Sequence, residues 1–319
     1  MKLRCAVLDD YQGVALDMAD WAPVLDRVEV TVFRDHLDDE DALAQVLAEY
    51  EIVVLMRERT PFRQSLLDRL PALKLLVTTG MRNASVDVAA AVRRGVLVCG
   101  TGGVGNGTAE LTWALILGLA RHVIEENAGL RSGGPWQRTI GTDLAGAELG
   151  LLGLGRLGAQ VARIGLAFGM RVSAWSEHLT EARAAEVGVR RAGSKAELLA
   201  TSDVVSIHLV LSDRSRGLLG ADELALLRPT AYLVNTSRGP IVDESALVEA
   251  LRAGRLAGAG LDVFDVEPLP ADHPFRTLPT VLALPHLGYV TQQGYQIFYR
   301  EIVEDISAYL AGSPIRTLS

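Results

Sequence analysis

The sequence predicts an α/β fold made of two doubly wound domains, each with a parallel sheet covered by helices on both faces. The first hundred residues alternate short apolar segments, typical of strands, with segments of helical periodicity. The same alternation resumes in the second half of the chain. A glycine-rich turn at residues 153–158 lies between a strand-like and a helix-like segment, as in nucleotide-binding βαβ units.

Composition agrees with two ordinary globular domains. The chain has 319 residues, of which 49% are hydrophobic, and 31 basic against 39 acidic residues give a net charge of −8. No long basic run is present and the most apolar run, residues 111–120, is too short to cross a bilayer. We therefore expect neither a nucleic-acid nor a membrane partner.

Cys5 and Cys99 lie in strand-like runs, which predicts buried free thiols, no metal site and a cytoplasmic location.

The first half of the chain contains five strand candidates and two clear helices. The strands are predicted at residues 3–8, 28–33, 52–56, 73–77 and 96–98, and the helices at 41–50 and 85–94. The second helix stops at Gly95, a typical C-terminal signal. Strands separated by helices indicate a parallel sheet.

A glycine-rich connection follows. Residues 100–103 read Gly-Thr-Gly-Gly and interrupt the alternation, after which a long helix is predicted at 108–124 and a glycine-rich loop at 129–142. Beyond it, strands are predicted at 172–175, 204–208, 232–235, 258–263 and 281–284, with helices at 243–253 and 291–310.

The turn after the strand that begins the second half has the pattern G-x-G-x-x-G, formed by Gly153, Gly155 and Gly158. In such turns the first glycine permits the tight turn, the second lets the backbone approach a pyrophosphate, and the third lets helix and strand pack closely. The start of the following helix offers N–H groups to phosphates. The pattern alone is weak evidence, but its place between strand and helix favours a dinucleotide site.

Three chemically capable side chains follow strands of the second half. Arg238, Glu267 and His286 each come shortly after a predicted strand, and the carboxyl ends of parallel strands form the ligand-binding edge of an open sheet. A guanidinium can clamp a carboxylate, and a histidine oriented by a carboxylate can exchange a proton. Each residue alone could be a surface or turn residue; together, after a dinucleotide turn, they suit hydride transfer on a 2-oxo acid.

These motifs resemble the D-isomer-specific 2-hydroxyacid dehydrogenase family, which includes phosphoglycerate and glyoxylate/hydroxypyruvate enzymes. The resemblance covers essentially the whole chain. The matching runs are residues 153–158, 235–244, 260–268 and 285–288 in the second half, and 57–60 and 80–87 in the first half.

The resemblance implies a flavodoxin-like substrate domain, discontinuous over residues 1–102 and 287–319, and a Rossmann dinucleotide-binding domain over 103–286. It implies that Arg238 holds the substrate carboxylate, that His286 is the general acid/base and that Glu267 pairs with His286. Substrate is further expected at Arg57, Gly80 and Met81. The expected cofactor-binding residues are Gly153, Gly155, Arg156, Leu157, Gly158, Ser176, Leu209, Thr236, Ser237 and Asp262, the last facing the nicotinamide carboxamide. Relatives are usually dimers built through the segment near residues 108–142, so a homodimer is expected.

The cofactor is left open between NAD and NADP. An NAD site expects an acidic residue at the end of the second strand, to bind the ribose 2′-hydroxyl. Here that place is taken by Ser176, and Glu177 comes one position later. No arginine follows directly to hold a 2′-phosphate, although His178 or Arg183 could reach. The pattern weakly favours NAD.

Two functions of different classes fit these residues. The first is an NAD(P)-dependent D-2-hydroxyacid dehydrogenase that interconverts a small 2-oxo acid and its 2-hydroxy acid. The second is a non-catalytic, NAD(H)-sensing corepressor-like scaffold of the same fold, because such scaffolds keep the three strand-end residues too. Turnover with a panel of 2-oxo acids discriminates between them.

Overall fold

The computed structural model describes residues 1–103 and 105–319. The chain divides into two compact units. The first comprises Met1–Val104 and Thr291–Ser319, and the second comprises Gly105–Val290.

The first unit alternates strands and helices along its N-terminal part. Its strands are β1 (Leu3–Val7), β2 (Val28–Val32), β3 (Ile52–Leu55), β4 (Leu75–Thr78), β5 (Leu97–Gly100) and, near the C-terminus, β13 (Thr317–Leu318). Its helices are α1 (Ala22–Leu25), α2 (Glu40–Leu47), α3 (Gln64–Leu67), α4 (Val88–Arg93) and α12 (Gln292–Leu310).

Within the described residues, the sheet of this unit has the strand order β13-β5-β4-β3-β1-β2. The chain winds from β1 outward to β2 and then crosses back to β3, which is the flavodoxin-like order. All pairs are parallel except β13, which runs antiparallel to β5. Strands β3 and β4 are buried along their whole length, as expected for strands covered on both faces.

The second unit begins with two helices and then alternates strands and helices. Its helices are α5 (Gly107–Ala120), α6 (Val123–Arg131), α7 (Arg156–Ala167), α8 (Glu181–Val187), α9 (Lys195–Thr201), α10 (Ala221–Leu224) and α11 (Glu244–Arg252). Its strands are β6 (Glu148–Leu152), β7 (Arg171–Trp175), β8 (Arg190–Arg191), β9 (Val204–Ile207), β10 (Tyr232–Asn235), β11 (Gly258–Leu261) and β12 (Val281–Ala283). Two 3₁₀ turns lie at Gly239–Ile241 and Pro274–Arg276.

The sheet of the second unit has the order β12-β11-β10-β9-β6-β7-β8 among the residues described, and every pair is parallel. The chain reverses direction across the sheet between β6 and β9, which is the Rossmann arrangement. Apolar clusters lie on both faces of the sheet: one includes Leu149, Leu151 and Val161, and the other includes Leu152 and Ile207. The predicted pair of doubly wound α/β domains is confirmed.

The long helix predicted at 108–124 is wrong in one respect, because the structure breaks it into α5 and α6. The break falls at His122, whose φ of +51° lies in the left-handed region that ends a helix. The loop predicted from residue 129 is also misplaced, since α6 continues to Arg131 and includes the buried Gly129. Glycine was taken as a loop signal there; its small size instead lets Arg138 pack against the helix.

Both cysteines are buried free thiols, as expected. Burial raises the pKa of each thiol to about 12, so both are protonated and unreactive near neutral pH. Among the described residues, no helix is both long and apolar enough to span a membrane.

Candidate active site

The three catalytic candidates lie at one edge of the second sheet. Strands β10, β11 and β12 are parallel neighbours, so their carboxyl ends point the same way. Arg238 follows β10, Glu267 follows β11 and His286 follows β12. The strand order therefore gathers residues that are far apart in the sequence.

His286 and Glu267 form a direct pair. Nδ1 of His286 lies 2.6 Å from Oε2 of Glu267, while Oε1 of Glu267 accepts a hydrogen bond from the backbone N–H of Phe264 at 2.9 Å. The side chains are 21% and 33% exposed, so both can be reached by a ligand. Because Nδ1 faces the carboxylate, Nε2 is the ring nitrogen available to exchange a proton with a ligand.

The turn that carries His286 is anchored by Asp262. This carboxylate is fully buried; its Oδ1 accepts from the N–H of Leu287 at 2.7 Å and its Oδ2 from the N–H of Gly288 at 2.8 Å. The hydroxyl of Thr108 donates to the Gly288 carbonyl at 2.9 Å. Burial raises the pKa of Asp262 to about 6, although the two backbone N–H groups oppose that shift. The structure gives Asp262 a role in holding the turn, and its contact with a carboxamide stays a prediction.

Arg238 is held through its backbone. Its carbonyl accepts from the side-chain amide of Asn235 at 2.9 Å, and its own Nη1 donates to the Ser237 carbonyl at 2.7 Å. The next residue, Gly239, lies so close to the backbone of Phe264 that a Cβ atom there would stand 2.1 Å from the Phe264 carbonyl carbon. Only glycine permits this approach, which sets the Arg238 turn against the segment that carries Glu267.

The hydroxyl residues beside Arg238 tie this loop to its neighbours. The Thr236 hydroxyl lies 2.8 Å from that of Thr112 on α5, and both are buried. The Ser237 hydroxyl donates to the Ile207 carbonyl at the end of β9 at 2.7 Å. Both residues were expected to line a cofactor, and the structure places them at the carboxyl edge.

The glycine-rich turn connects β6 to α7, and its three glycines differ. Gly153 has a φ of +101°, and a Cβ there would lie 2.5 Å from the His208 carbonyl oxygen. A Cβ at Gly158 would lie 2.2 Å from the Gly153 carbonyl oxygen. At Gly155 a Cβ would meet no protein atom within 4 Å. The fold therefore explains the first and third glycines, while the second faces open space.

The residues present fit a dinucleotide. Gly155 is the N-cap of α7 and no side chain caps that helix, which leaves the first-turn N–H groups available to a phosphate. Arg156, the first residue of α7, donates through Nη1 to the Gly105 carbonyl at 2.8 Å. Leu157 packs into the core below the helix, whereas the Leu209 side chain lies against Gly153.

The end of β7 carries contacts that the sequence did not reveal. Nη1 of Arg214 lies 2.8 Å from Nε2 of His178 and 3.5 Å from Oε2 of Glu177. Arg183 donates instead to the Leu154 carbonyl at 3.2 Å. Arg214 follows β9, which is separated from β7 by β6 in the sheet, and it is 36 positions from His178, so no local pattern in the sequence indicates this contact.

His208 supports the glycine turn from below. Its Nε2 lies 3.0 Å from the Ser206 hydroxyl, and its Cβ would lie 3.5 Å from a Cβ at Gly158. Burial lowers the pKa of His208 to about 4, so the ring is neutral near pH 7. The sequence predicts His208 only as the last residue of the strand at 204–208.

The substrate candidates of the first unit lie at the carboxyl ends of β3 and β4. Arg57 adopts a left-handed φ of +55°; its N–H donates to the Thr79 hydroxyl at 2.8 Å and its Nη1 to the Thr79 carbonyl at 3.1 Å. Gly80 has a φ of +91°, and a Cβ there would collide with Nη1 of Arg57. Its N–H already donates to the Thr101 hydroxyl at 3.0 Å. Met81 is 44% exposed.

A second acid–imidazole pair occurs at the same edge of the first unit. Nδ1 of His36 lies 2.8 Å from Oδ1 of Asp9, and the Thr60 hydroxyl donates to Oδ2 of Asp9 at 2.6 Å. The hydrogen bond to Asp9 raises the pKa of His36. Sequence reasoning missed this cluster because its members follow three different strands. Among the described residues, no group of three or more His, Cys, Asp or Glu side chains is arranged to hold a metal ion.

Comparison with known proteins identifies the family. A sequence profile described as the NAD binding domain of D-isomer specific 2-hydroxyacid dehydrogenases matches residues 113–288. The chain is 41% identical over 256 residues to a glyoxylate reductase of Aeropyrum pernix, covering 77% of this chain and 76% of that protein. It is 36% identical over 293 residues to a D-3-phosphoglycerate dehydrogenase of Bacillus subtilis, covering 91% of this chain but 54% of the longer relative.

A solved structure agrees with these sequence relatives. The phosphoglycerate oxidoreductase of Vibrio cholerae has a TM-score of 0.92 and 37% identity to this chain, with 97% of this chain and 99% of that chain covered. The chain therefore belongs to the family of D-isomer specific 2-hydroxyacid dehydrogenases.

Proposed function

We propose that this protein catalyses reversible hydride transfer between a nicotinamide cofactor and a small 2-oxo or D-2-hydroxy acid. The observation that supports it best is the 2.6 Å pair of His286 and Glu267 on the strand edge that also carries Arg238. Family membership supports the same reaction.

Each of the three residues has a chemical role in this proposal. Arg238 binds the substrate carboxylate and, as a cation beside the carbonyl, stabilises negative charge that develops on its oxygen. His286 gives a proton from Nε2 to that oxygen during reduction and takes it back during oxidation. Glu267 fixes the ring through Nδ1 and balances the imidazolium charge. When bound, the nicotinamide supplies or accepts the hydride.

The two directions of the reaction need opposite states of His286. Reduction requires the imidazolium, which donates, whereas oxidation requires the neutral ring, which accepts. We therefore expect catalytic efficiency for reduction to fall with rising pH while that for oxidation rises over the same interval.

The remaining assignments concern the ligands. In the second unit, we assign the dinucleotide to the turn formed by Gly153, Gly155, Arg156, Leu157 and Gly158, with Ser176, Leu209, Thr236, Ser237 and Asp262 around it. We assign substrate contacts in the first unit to Arg57, Gly80 and Met81. Since the Gly80 N–H is engaged by Thr101, the Met81 N–H is the better donor. The first unit thus acts as the substrate domain and the second as the nucleotide domain.

By the sequence criterion alone NAD is weakly favoured over NADP, because Ser176 is not followed by an arginine.

We further propose a cytoplasmic homodimer. Apolar side chains on α6 and the loop after it are exposed to an extent unusual for a monomer: Val123 50%, Ile124 57%, Leu130 59%, Trp136 80% and Ile140 94%. A second copy of the chain would cover them. Light scattering should give twice the chain mass, and Trp136→Glu should shift the protein toward monomer.

The catalytic proposal is tested by turnover. Oxidation of NADH and NADPH is followed with glyoxylate, hydroxypyruvate, pyruvate, phenylpyruvate and 2-oxoisocaproate. We expect at least one 2-oxo acid to be reduced, with Arg238→Ala losing useful turnover because a charge-assisted contact is worth about 1.5–3 kcal/mol. Arg252→Ala, an exposed cation on α11, is the matched control and should retain activity. No turnover with any acid and either cofactor would favour the non-catalytic scaffold.

A further inference from the structure

We infer that the preferred cofactor is NADP(H), with the 2′-phosphate of its adenosine ribose bound at the end of β7 by Ser176, His178 and Arg214. The inference rests on the proposed function only in that the second unit must bind a nicotinamide dinucleotide. It assigns a binding role to Arg214 and reverses the weak preference for NAD.

The sheet places the end of β7 beside the glycine turn. In the order β9-β6-β7 the turn that follows β6 lies between the ends of the other two strands. The Gly153 N–H donates to the Trp175 carbonyl at 2.9 Å, which joins the first glycine to the last residue of β7. Ser176 is the next residue, so it lies where the ribose of a dinucleotide on this turn belongs.

The end of β7 lacks the group that selects NAD. An acidic side chain at this position accepts hydrogen bonds from both ribose hydroxyls and repels a 2′-phosphate. Ser176 carries no charge, and its hydroxyl can donate to a phosphate oxygen. Removing the repulsion permits NADP(H) but does not by itself favour it, so a cation is required.

Arg214 supplies that positive charge from the segment after β9, on the opposite side of the glycine-rich turn from β7. It belongs to the segment after β9, yet its Nη1 lies 2.8 Å from Nε2 of His178. A guanidinium stays charged at every physiological pH and presents five N–H donors, of which the contacts with His178 and Glu177 use Nη1. The fork geometry of the guanidinium matches a phosphate.

The Glu177 carboxylate does not prevent this binding. It is 62% exposed and lies at the long distance of 3.5 Å from Nη1 of Arg214, so water and Arg214 both screen its charge. A phosphate dianion is a stronger acceptor than this distant carboxylate. His178 is 73% exposed, and a protonated ring can donate to the same phosphate.

The test is an equilibrium titration in the absence of any 2-oxo or 2-hydroxy acid, so that no ligand can turn over. Calorimetry compares 2′-phospho-ADP-ribose with ADP-ribose, and then NADPH with NADH. We expect the wild-type protein to bind each 2′-phosphorylated ligand at least about tenfold more tightly. Arg214→Gln should weaken the 2′-phosphorylated ligands by about 10- to 100-fold, the range for a charge-assisted contact, and leave ADP-ribose within about twofold.

Two further variants sharpen the result. Arg190→Gln removes an exposed, ion-paired cation from β8 of the same unit and should leave both affinities unchanged. Ser176→Asp restores the acid expected in an NAD site and should reverse the preference toward ADP-ribose.

Three outcomes would overturn the inference. Tighter binding of ADP-ribose by the wild type would show an NAD site. An equal loss for both ligands in Arg214→Gln would mean that the guanidinium contacts the adenine ring. Failure of all four ligands to bind would mean that the second unit is not a dinucleotide-binding domain, and it would contradict the proposed function as well. The other two outcomes contradict only the preference for NADP(H).

Discussion

Asp262 supports His286 indirectly, through the backbone of the turn that follows the histidine and not through a side-chain hydrogen bond to it. Both of its oxygens accept from backbone N–H groups, at Leu287 and Gly288, directly after the histidine. In Asp262→Asn one of those oxygens becomes an NH₂ group that faces an N–H, so one bond is lost and two donors meet. We expect the free energy of unfolding to fall by about 1.5–3 kcal/mol and catalytic efficiency to fall at least about tenfold.

Urea unfolding and steady-state kinetics of Asp262→Asn check this, with Asp222→Asn on α10 as an exposed control. If Asp262→Asn kept full stability and lost only cofactor affinity, Asp262 would act on the cofactor rather than on the turn.

Substitutions of Gly155 and Gly158, which belong to the same glycine-rich turn, should impair different properties of the protein. Gly155→Val places a side chain in open space and should leave the melting temperature of the ligand-free protein nearly unchanged, while cofactor affinity falls about tenfold or more. Gly158→Ala forces a Cβ against the Gly153 carbonyl and should cost about 1–3 kcal/mol of stability. Calorimetry of unfolding and of cofactor binding separates the two. Equal cofactor affinity in Gly155→Val and wild type would make the turn purely structural.

At the scale of single residues, the sequence indicates which side chains are candidates for catalysis but not which contacts hold them in place. Arg238, Glu267 and His286 could be chosen because each follows a strand, and parallel strands bring their ends together. The bonds of Asp262 to the next turn, and the approach of Arg214 to His178, depend on how loops run between strands. No local pattern in the sequence records those loop paths.

The segment between β11 and β12 carries Glu267 and is held by a second contact. Glu244, the first residue of α11, accepts from the Asp265 N–H at 3.0 Å through Oε2, and its Oε1 lies 2.7 Å from Nε2 of His273. Both partners lie on the segment, on either side of Glu267. Glu244→Gln replaces one of the two acceptors by a donor and should loosen the segment.

We expect Glu244→Gln to lower kcat about tenfold with KM for the 2-oxo acid changed less than about twofold, because Arg238, to which we assign the substrate carboxylate, is anchored separately through Asn235. Glu249→Gln, on the same helix and exposed, is the control. A rise in KM with unchanged kcat would show that Glu244 acts on substrate binding instead.

Element prediction succeeded where burial gives an unambiguous pattern. The strands β3, β9 and β10 are buried along nearly their whole length, and their predicted ends lie within one residue of the observed ends. Short elements such as β8 and β13, two residues each, carry no period to detect. The break between α5 and α6 was missed because a left-handed histidine has no signature in the sequence.

At the scale of the whole molecule, the chain returns to its first unit at the C-terminus. Helix α12 and strand β13 belong to that unit, and Arg316 joins them: its Nε donates to Oδ1 of Asp305 at 2.9 Å and its Nη1 to Oε2 of Glu304 at 2.9 Å. The final helix was predicted from its period; its membership of the first unit was expected from family resemblance alone, because periodicity says nothing about which sheet a helix covers.

Asp305 should make the first unit sensitive to pH. It is fully buried on α12, and burial raises the pKa of its carboxyl to about 7 even though Arg316 opposes the shift. A carboxyl with a raised pKa in the folded state binds its proton more tightly there than in the unfolded chain. Its contribution to stability is therefore fully present below pH ~4 and is lost as pH rises through about 7, at about 1.4 kcal/mol for each unit of pKa difference.

Asp305→Asn removes this titration and keeps an acceptor for Arg316. We expect the variant to match the wild type near pH 4 and to become progressively more stable than the wild type up to pH 7, with no further change above. Hydrogen exchange of peptides from β5 and α12, measured from pH 4 to pH 8 after correction for the intrinsic rate, reports the stability of this unit alone. The opposite trend, with Asp305→Asn increasingly destabilised at high pH, would mean that Asp305 is ionised in the folded protein and that its ion pair with Arg316 outweighs the cost of burial.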